Sequence, residues 1–355
     1  MNFSLKEGEE KKLLSLFDQH EINLDYLIYL RSIFLDKPVL IDEKTDDQSD
    51  YDIKKKLFDK LERLYPYPNK FVKDNILWDT QILKVDNYKS NPYLKALNGL
   101  TFKEKGWTLK NVKRSAFTLC PYQEEYAYGS NYALKMGITT FDKDYIYPSI
   151  SLYDQEWMSL NQHEIRTMET SIALARGRVL TLGLGLGYFA FMASNKEEVK
   201  EVHIVEMDLE LIQLFSKYLL PLFPHKEKIH IHKADAYHFI NEIKDGDYDC
   251  IFSDLWQDVG DGVVSYLKLK KVFIEFNKTT CAYWIEGSIL SYLRILIIGM
   301  MKDEYYQIDN DYDELQVFIK NKLKDYVISS SVDIDALLCN QGLERLFFIN
   351  NIFHI

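Results

Sequence analysis

Between residues 175 and 302 the chain repeats one pattern. A short apolar run is followed by a segment whose apolar positions recur at helical spacing, and then the pair begins again. The runs "GRVLTLG", "VKEVHIVEMD", "EKIHIHKAD", "YDCIFSD" and "TTCAYWIE" predict five strands. "YFAFMASN", "LELIQLFSKYLLPLF", "AYHFINEIKDG", "VVSYLKLKKVFIEF" and "GSILSYLRILIIGMMKD" predict five helices. Strands that alternate with helices imply right-handed crossovers. The fold expected is therefore α/β, a doubly wound, Rossmann-like parallel sheet with helices on both faces.

The flanks have a different texture. Residues 8–35 place Leu13, Leu14, Phe17, Leu24, Leu27, Ile28 and Leu30 at helical spacing. "DEKTDDQSDYD" (42–52) is an acidic polar linker, and "IKKKLFDKLERLY" (53–65) is a helix ended by "PYP". From about 95 to 160, "WTLKNVKRSAFTL", "GITTFDKDYIY" and "SISLYD" alternate as short strands and hairpins do. The last fifty residues carry apolar stripes at helical spacing. Three parts are expected: an α+β N-terminal domain over 1–150, a ligand-binding domain over 151–302, and a helical C-terminal extension over 303–355.

Composition narrows the class. The 355 residues are 47% hydrophobic and 27% charged, ordinary for a folded protein, and the net charge is −11. That field argues against a protein that coats nucleic acid; the basic run "KEKGWTLKNVKR" (103–114) reads as a solvated face. The four cysteines are far apart and form no zinc knuckle or disulfide framework. Reduced thiols and the charged start "MNFSLKEGEEKK" point to the cytoplasm. The longest apolar run, "ILSYLRILIIGMM" (289–301), carries Arg294 and is too short to span a membrane. His230 and His232 alternate on a strand with no third ligand nearby in sequence, so no metal site is expected.

The candidate chemistry lies in "GLGLG" (183–187), where the first strand ends and a helix opens. Ligands of parallel sheets bind at the carboxyl ends of the strands. Glycine there permits positive φ and removes the Cβ that would hold a ligand away. No Lys followed by Ser or Thr is placed as a P-loop requires. A dinucleotide loop would want glycine at 188, which is Tyr188. A nucleoside with an amino-acid tail and no phosphates fits the spacing, so Gly183, Gly185 and Gly187 are expected to approach S-adenosylmethionine or a relative. Glu206 ends the second strand, 23 residues past Gly183, where an acid accepts hydrogen bonds from ribose hydroxyls. Asp235 follows the third strand, placed for an adenine amino group, and Asp254 ends the fourth. Each acid has an alternative role as the cap of the helix that follows.

These segments resemble the class I S-adenosylmethionine-dependent methyltransferase superfamily, and within it the spermidine synthase-like branch. "VHIVEMD" is similar to that branch's second strand, "KADAYHFI" to its turn after the third, and "YDCIFSDLWQD" to its fourth strand. In "YPSISLYDQEWMSLNQHEIRTMETSI" (147–172), His163 and Glu164 match the "HE" of the helix that precedes the glycine loop there. Two departures stand out. Leu186 replaces the acid that the branch carries inside its glycine loop, and "SDLWQDVGDG" stands where it carries "DSTDPxGPA". The resemblance implies an S-adenosylmethionine-binding domain, with Gly183, Gly185, Gly187, Glu206, Met207, Asp235, Ala236 and Asp254 holding the cofactor. Asp254 and His163 are the candidate catalytic groups, as a carboxylate or imidazole that takes the acceptor's proton. The function expected is methyl transfer to a small molecule or peptide; the acidic loop around Asp258 and Asp261 favours a cationic acceptor. Two other readings stand beside it: aminopropyl transfer from decarboxylated S-adenosylmethionine, and a catalytically silent nucleoside-binding scaffold. No nucleic-acid or membrane partner is expected, and a homodimer is allowed.

Overall fold

The structure is a computed structural model that describes residue 5 and residues 8–36, 49–329 and 333–348. Five parallel strands form its main sheet: β1 Gly177–Leu182, β2 Val199–Glu206, β3 Ile229–Lys233, β4 Cys250–Ser253 and β5 Thr280–Tyr283. Their order is β3-β2-β1-β4-β5. Leu180 of β1 is in register with His203 of β2 on one side and Ile251 of β4 on the other. The strand order reverses between β1 and β4, and a crevice opens at their carboxyl ends.

The helices between them are α1 Gln162–Leu174, α2 Tyr188–Ser194, α3 Leu209–Leu214, α4 Ala236–Phe239, α5 Val259–Phe273 and α6 Glu286–Tyr305. Four begin at a side chain that accepts from the first free amides. Asn161 accepts from His163 N at 2.8 Å, Asp208 from Glu210 N at 2.8 Å, Asp235 from His238 N at 3.0 Å and Asp258 from Gly260 N at 2.7 Å. Two expected helices are shorter than their apolar pattern. After α3 the chain widens into a π turn, Phe215–Leu219, before Pro221. α4 is a single turn, because the carboxylates that follow capture other amides. Asp247 accepts from Lys244 N at 2.8 Å, and Asp245 accepts from Asn277 N and Lys278 N at 3.0 and 2.9 Å.

The β-rich texture before residue 160 corresponds to a four-stranded antiparallel sheet of Phe102–Glu104, Trp107–Arg114, Tyr145–Leu152 and Gln155–Ser159. Residues 42–48 of the acidic linker lie outside the described residues. Ser49 and Asp52 form a capping box that starts the next helix at Asp50, three residues ahead of the expected start. Helices Lys70–Asp79 and Pro92–Leu97 were not legible in the pattern. One apolar core joins all parts: Leu16, Phe17, Tyr93 and Trp107 belong to the same cluster as Val179, Phe252 and Leu343. Arg294, the charge within the apolar run of α6, is buried and donates from Nε to Leu338 O at 2.8 Å. Among the described residues, no helix is long and apolar enough to cross a membrane.

Candidate active site

Gly183, Gly185 and Gly187 take φ of 100°, 52° and 77°, a region that favours glycine. Their surroundings divide them. A Cβ at Gly183 would lie 2.1 Å from the carbonyl oxygen of Asp254, so closely do β1 and β4 approach. One at Gly185 would lie 2.9 Å from Met158 Sδ. Both glycines line a cavity of about 940 Å³ at the carboxyl ends of the strands. Gly187 does not. Its missing Cβ would meet Phe215 Cε2 at 2.4 Å, so the absence of a side chain there lets Phe215 pack against the start of α2.

The loop is propped from behind by residues far upstream. The Tyr93 hydroxyl donates to Leu186 O, and its ring meets Tyr188 and Phe191 edge-on at 5.5 and 5.1 Å. Asn91 Nδ2 donates to the Tyr188 hydroxyl at 3.0 Å. Leu186, at the position of the absent loop acid, is fully buried.

Glu206, Met207, Asp235, Ala236 and Asp254 all line the cavity. The Glu206 carboxylate accepts from Leu184 N at 3.3 Å and Asp208 N at 2.8 Å. It therefore ties the glycine loop to the end of β2 while retaining lone pairs for a ligand. Asp235 keeps its capping role and its place on the cavity wall together. Asp254 is different. The loop after β4 is capped by Asp258 and Asp261, and among the described residues no hydrogen bond reaches the Asp254 carboxylate. Burial pushes that carboxyl up to about 7.

Glu164 is the residue whose role the sequence left in the background. It stands in the first turn of α1 and lines the cavity. Burial pushes its carboxyl up to about 8, with the negative charges of Asp254 and Glu156 adding to the effect. His163, its neighbour, lies outside the cavity lining. Burial lowers its imidazole to about 4, and its Nδ1 is buried without a partner. The structure thus brings Asp254 and Glu164 together on the cavity wall and leaves His163 off it. Seven acids line the cavity: Glu156, Glu164, Glu206, Asp208, Asp235, Asp254 and Asp261. Among the described residues no Lys, Arg or His lines it. Trp157, Trp256 and Trp284 complete the wall, and the Trp256 Nε1 is buried without a partner.

A glycine loop and an acidic crevice at the carboxyl ends of a parallel sheet place this chain among α/β folds. Comparison with known proteins narrows this. Residues 163–280 match the family model of the spermine/spermidine synthase domain. The resemblance to the spermidine synthase-like branch thus holds over that stretch. Among solved structures, spermidine synthase from Thermotoga maritima is 12% identical with a TM-score of 0.33, over 55% of this chain and 61% of that one. A spermidine synthase in complex with the transition state analogue AdoDATO is 12% identical, TM-score 0.34, over 55% and 62%. A probable spermidine synthase from Corynebacterium glutamicum is 14% identical, TM-score 0.30, over 48% and 57%. The chain spans about three fifths of the length of these structures. No curated protein matches it.

The match corrects one expectation. Spermine and spermidine synthases take decarboxylated S-adenosylmethionine as a substrate, so S-adenosylmethionine as a resident cofactor is set aside. It also moves the balance from methyl transfer to aminopropyl transfer.

Proposed function

We propose that this protein transfers an aminopropyl group from decarboxylated S-adenosylmethionine to an amine acceptor. The observation that carries the reading is the charge of the cavity, which has seven acids and, among the described residues, no basic side chain on its wall. The α-carboxylate of S-adenosylmethionine would face like charge there. Decarboxylation removes that carboxylate and leaves a primary ammonium, which the same acids attract. The family match over residues 163–280 points the same way.

In this reading Gly183 and Gly185 let the backbone approach the nucleoside, Glu206 accepts from the ribose hydroxyls, and Asp235 accepts from the adenine amino group. The acceptor's neutral nitrogen attacks the propyl carbon bonded to the sulfonium. The C–N bond forms, the C–S bond breaks, and its electron pair goes to sulfur, leaving neutral 5′-methylthioadenosine. The surplus proton on nitrogen passes to Asp254, whose carboxyl at about 7 is matched to proton transfer near neutrality. With Leu186 buried in place of a loop acid, the acceptor's other ammonium groups fall to Glu156, Glu164 and Asp261.

The test is calorimetry with decarboxylated S-adenosylmethionine and with S-adenosylmethionine, followed by 5′-methylthioadenosine release over a panel of diamines and polyamines. The decarboxylated form should bind at least about tenfold more tightly, a difference of about 1.4 kcal/mol. Equal or tighter binding of S-adenosylmethionine, or no release with any amine, would overturn the reading.

A further inference from the structure

Away from the cavity, the edge of the sheet gathers side chains that the proposed reaction does not use. Glu201 and His203 project from one face of β2, two residues apart. Parallel pairing places His230 of β3 beside His203, and His232 beside Val205. The His203 ring stacks against both, with centroids 4.8 Å from His230 and 5.1 Å from His232. Glu201 Oε2 lies 3.2 Å from His203 Nε2 and 3.6 Å from His230 Nε2. The three ligand atoms are all within 4.8 Å of one another.

The hydrogen positions sharpen the point. His203 Nδ1 lies 2.8 Å from His232 Nε2, so one of these two nitrogens carries a proton and the other accepts it. With the proton on His203, its Nε2 is a bare lone pair aimed at a carboxylate oxygen. That Nε2 is buried and makes no hydrogen bond, close as Glu201 is. Two lone pairs facing each other at that distance repel, and a cation between them removes the conflict. On the other side of the carboxylate, Arg178 Nε holds Oε1 at 2.5 Å, which fixes the orientation of Glu201 and leaves Oε2 available.

We propose that Glu201, His203 and His230 bind a late first-row divalent metal ion, zinc above all, on this sheet face. Zinc bonds to imidazole nitrogen and carboxylate oxygen are about 2.0–2.2 Å, which sets tetrahedral ligand edges of roughly 3.3 Å. The two separations from Glu201, 3.2 and 3.6 Å, match those edges, and the His203–His230 separation lies within 4.8 Å. Two imidazoles with one carboxylate disfavour magnesium and calcium, which prefer oxygen donors. His232 is a positioning residue that fixes the His203 tautomer through the second ring nitrogen, as outer-shell partners of metal-bound histidines do. His230 is 46% exposed in its side chain, so a fourth position opens to solvent. The ion would clasp the edge strand β3 to β2, just ahead of Asp235.

The experiment uses the full chain, stripped with a chelator and dialysed, then titrated with zinc chloride alone by calorimetry and with cobalt(II) by visible absorption. One zinc ion per chain should bind with micromolar or tighter affinity and raise the melting temperature by several degrees at saturation. His230→Ala, at an exposed position that leaves folding intact, and Glu201→Gln should each weaken zinc binding by at least about tenfold and abolish the rise. His232→Ala should weaken it by about tenfold while the metal-free melting temperature stays put. The Asp254→Asn/Glu164→Gln double variant should titrate as wild type. The proposal fails if zinc does not bind, if His230→Ala binds as wild type does, or if the double variant loses the ion, which would place it in the cavity instead.

Discussion

Two sets of acids surround one cavity under opposite conditions. On the rim, Asp208, Asp235 and Asp261 accept backbone amides at the starts of helices. On the floor, Asp254 and Glu164 have no such donor, and burial pushes their carboxyls up to about 7 and 8. Position at a strand end is common to members of both sets. What separates them is whether an N–H reaches the carboxylate. An acid with its donors supplied by the fold has part of its capacity committed to the backbone, and one without them keeps all of it for other partners.

The strongest way to break this contrast is Asp254→Asn. Turnover of the amine acceptor should fall by roughly 10²–10⁴, the span for a lost positioned base, with nucleoside affinity within a few-fold of wild type. Full activity in steady-state assays would return Asp254 to the structural set. Glu206 shares features of both sets, since it holds two amides and lies on the cavity wall. Glu206→Ala should weaken nucleoside binding by about 1.5–3 kcal/mol in calorimetry, and Glu206→Gln by less, because it keeps one acceptor oxygen. Binding unchanged in both variants would remove the ribose contact.

The floor acids also leave a signature in pH. Unfolded, these carboxyls release their protons near 4, whereas folded they keep them to about 7 and 8. Between those limits the folded state binds more protons, so unliganded stability falls as pH rises. The loss should be on the order of 1–2 kcal/mol from pH 5 to 8, allowing for the acids' partial exposure. Thermal melts of the Asp254→Asn/Glu164→Gln double variant should flatten that slope; an unchanged slope would contradict the assignment. The smallest effect belongs to a cap that does not line the cavity, Asp258 at the start of α5. Asp258→Ala should cost about 1 kcal/mol of stability by chemical denaturation and leave turnover within about twofold.

Local signals made the strands readable: β1 is an apolar run closed by glycine, and after the three strands that follow it in sequence an acid falls at or just past the carboxyl end, where parallel sheets put ligands. Glu206, Asp235 and Asp254 could be placed for that reason. Glu164 could not be weighed against His163, because the difference lies in which side of α1 turns toward β4, a matter of tertiary packing. Gly187 looked like its two neighbours until Phe215 arrived against it from the turn after α3. The Glu201–His203–His230 cluster was invisible for the same reason, since strand pairing assembles it from segments some thirty residues apart. α4 shows the limit of periodicity, for its pattern ran on while Asp245 and Asp247 drew the chain into turns.

The contact between Tyr93 and the glycine loop has a practical meaning for anyone who wishes to trim this protein. The family match begins at residue 163, seventy positions after Tyr93. A fragment cut at that boundary would leave a hole where Tyr188, Phe191 and Phe223 now close around one ring, and would leave the Leu186 carbonyl without its donor. The stretch that can be recognised is therefore shorter than the stretch that can stand alone. Excised by its recognisable limits, the domain would keep its strands and lose the shape of the loop that gives them a purpose.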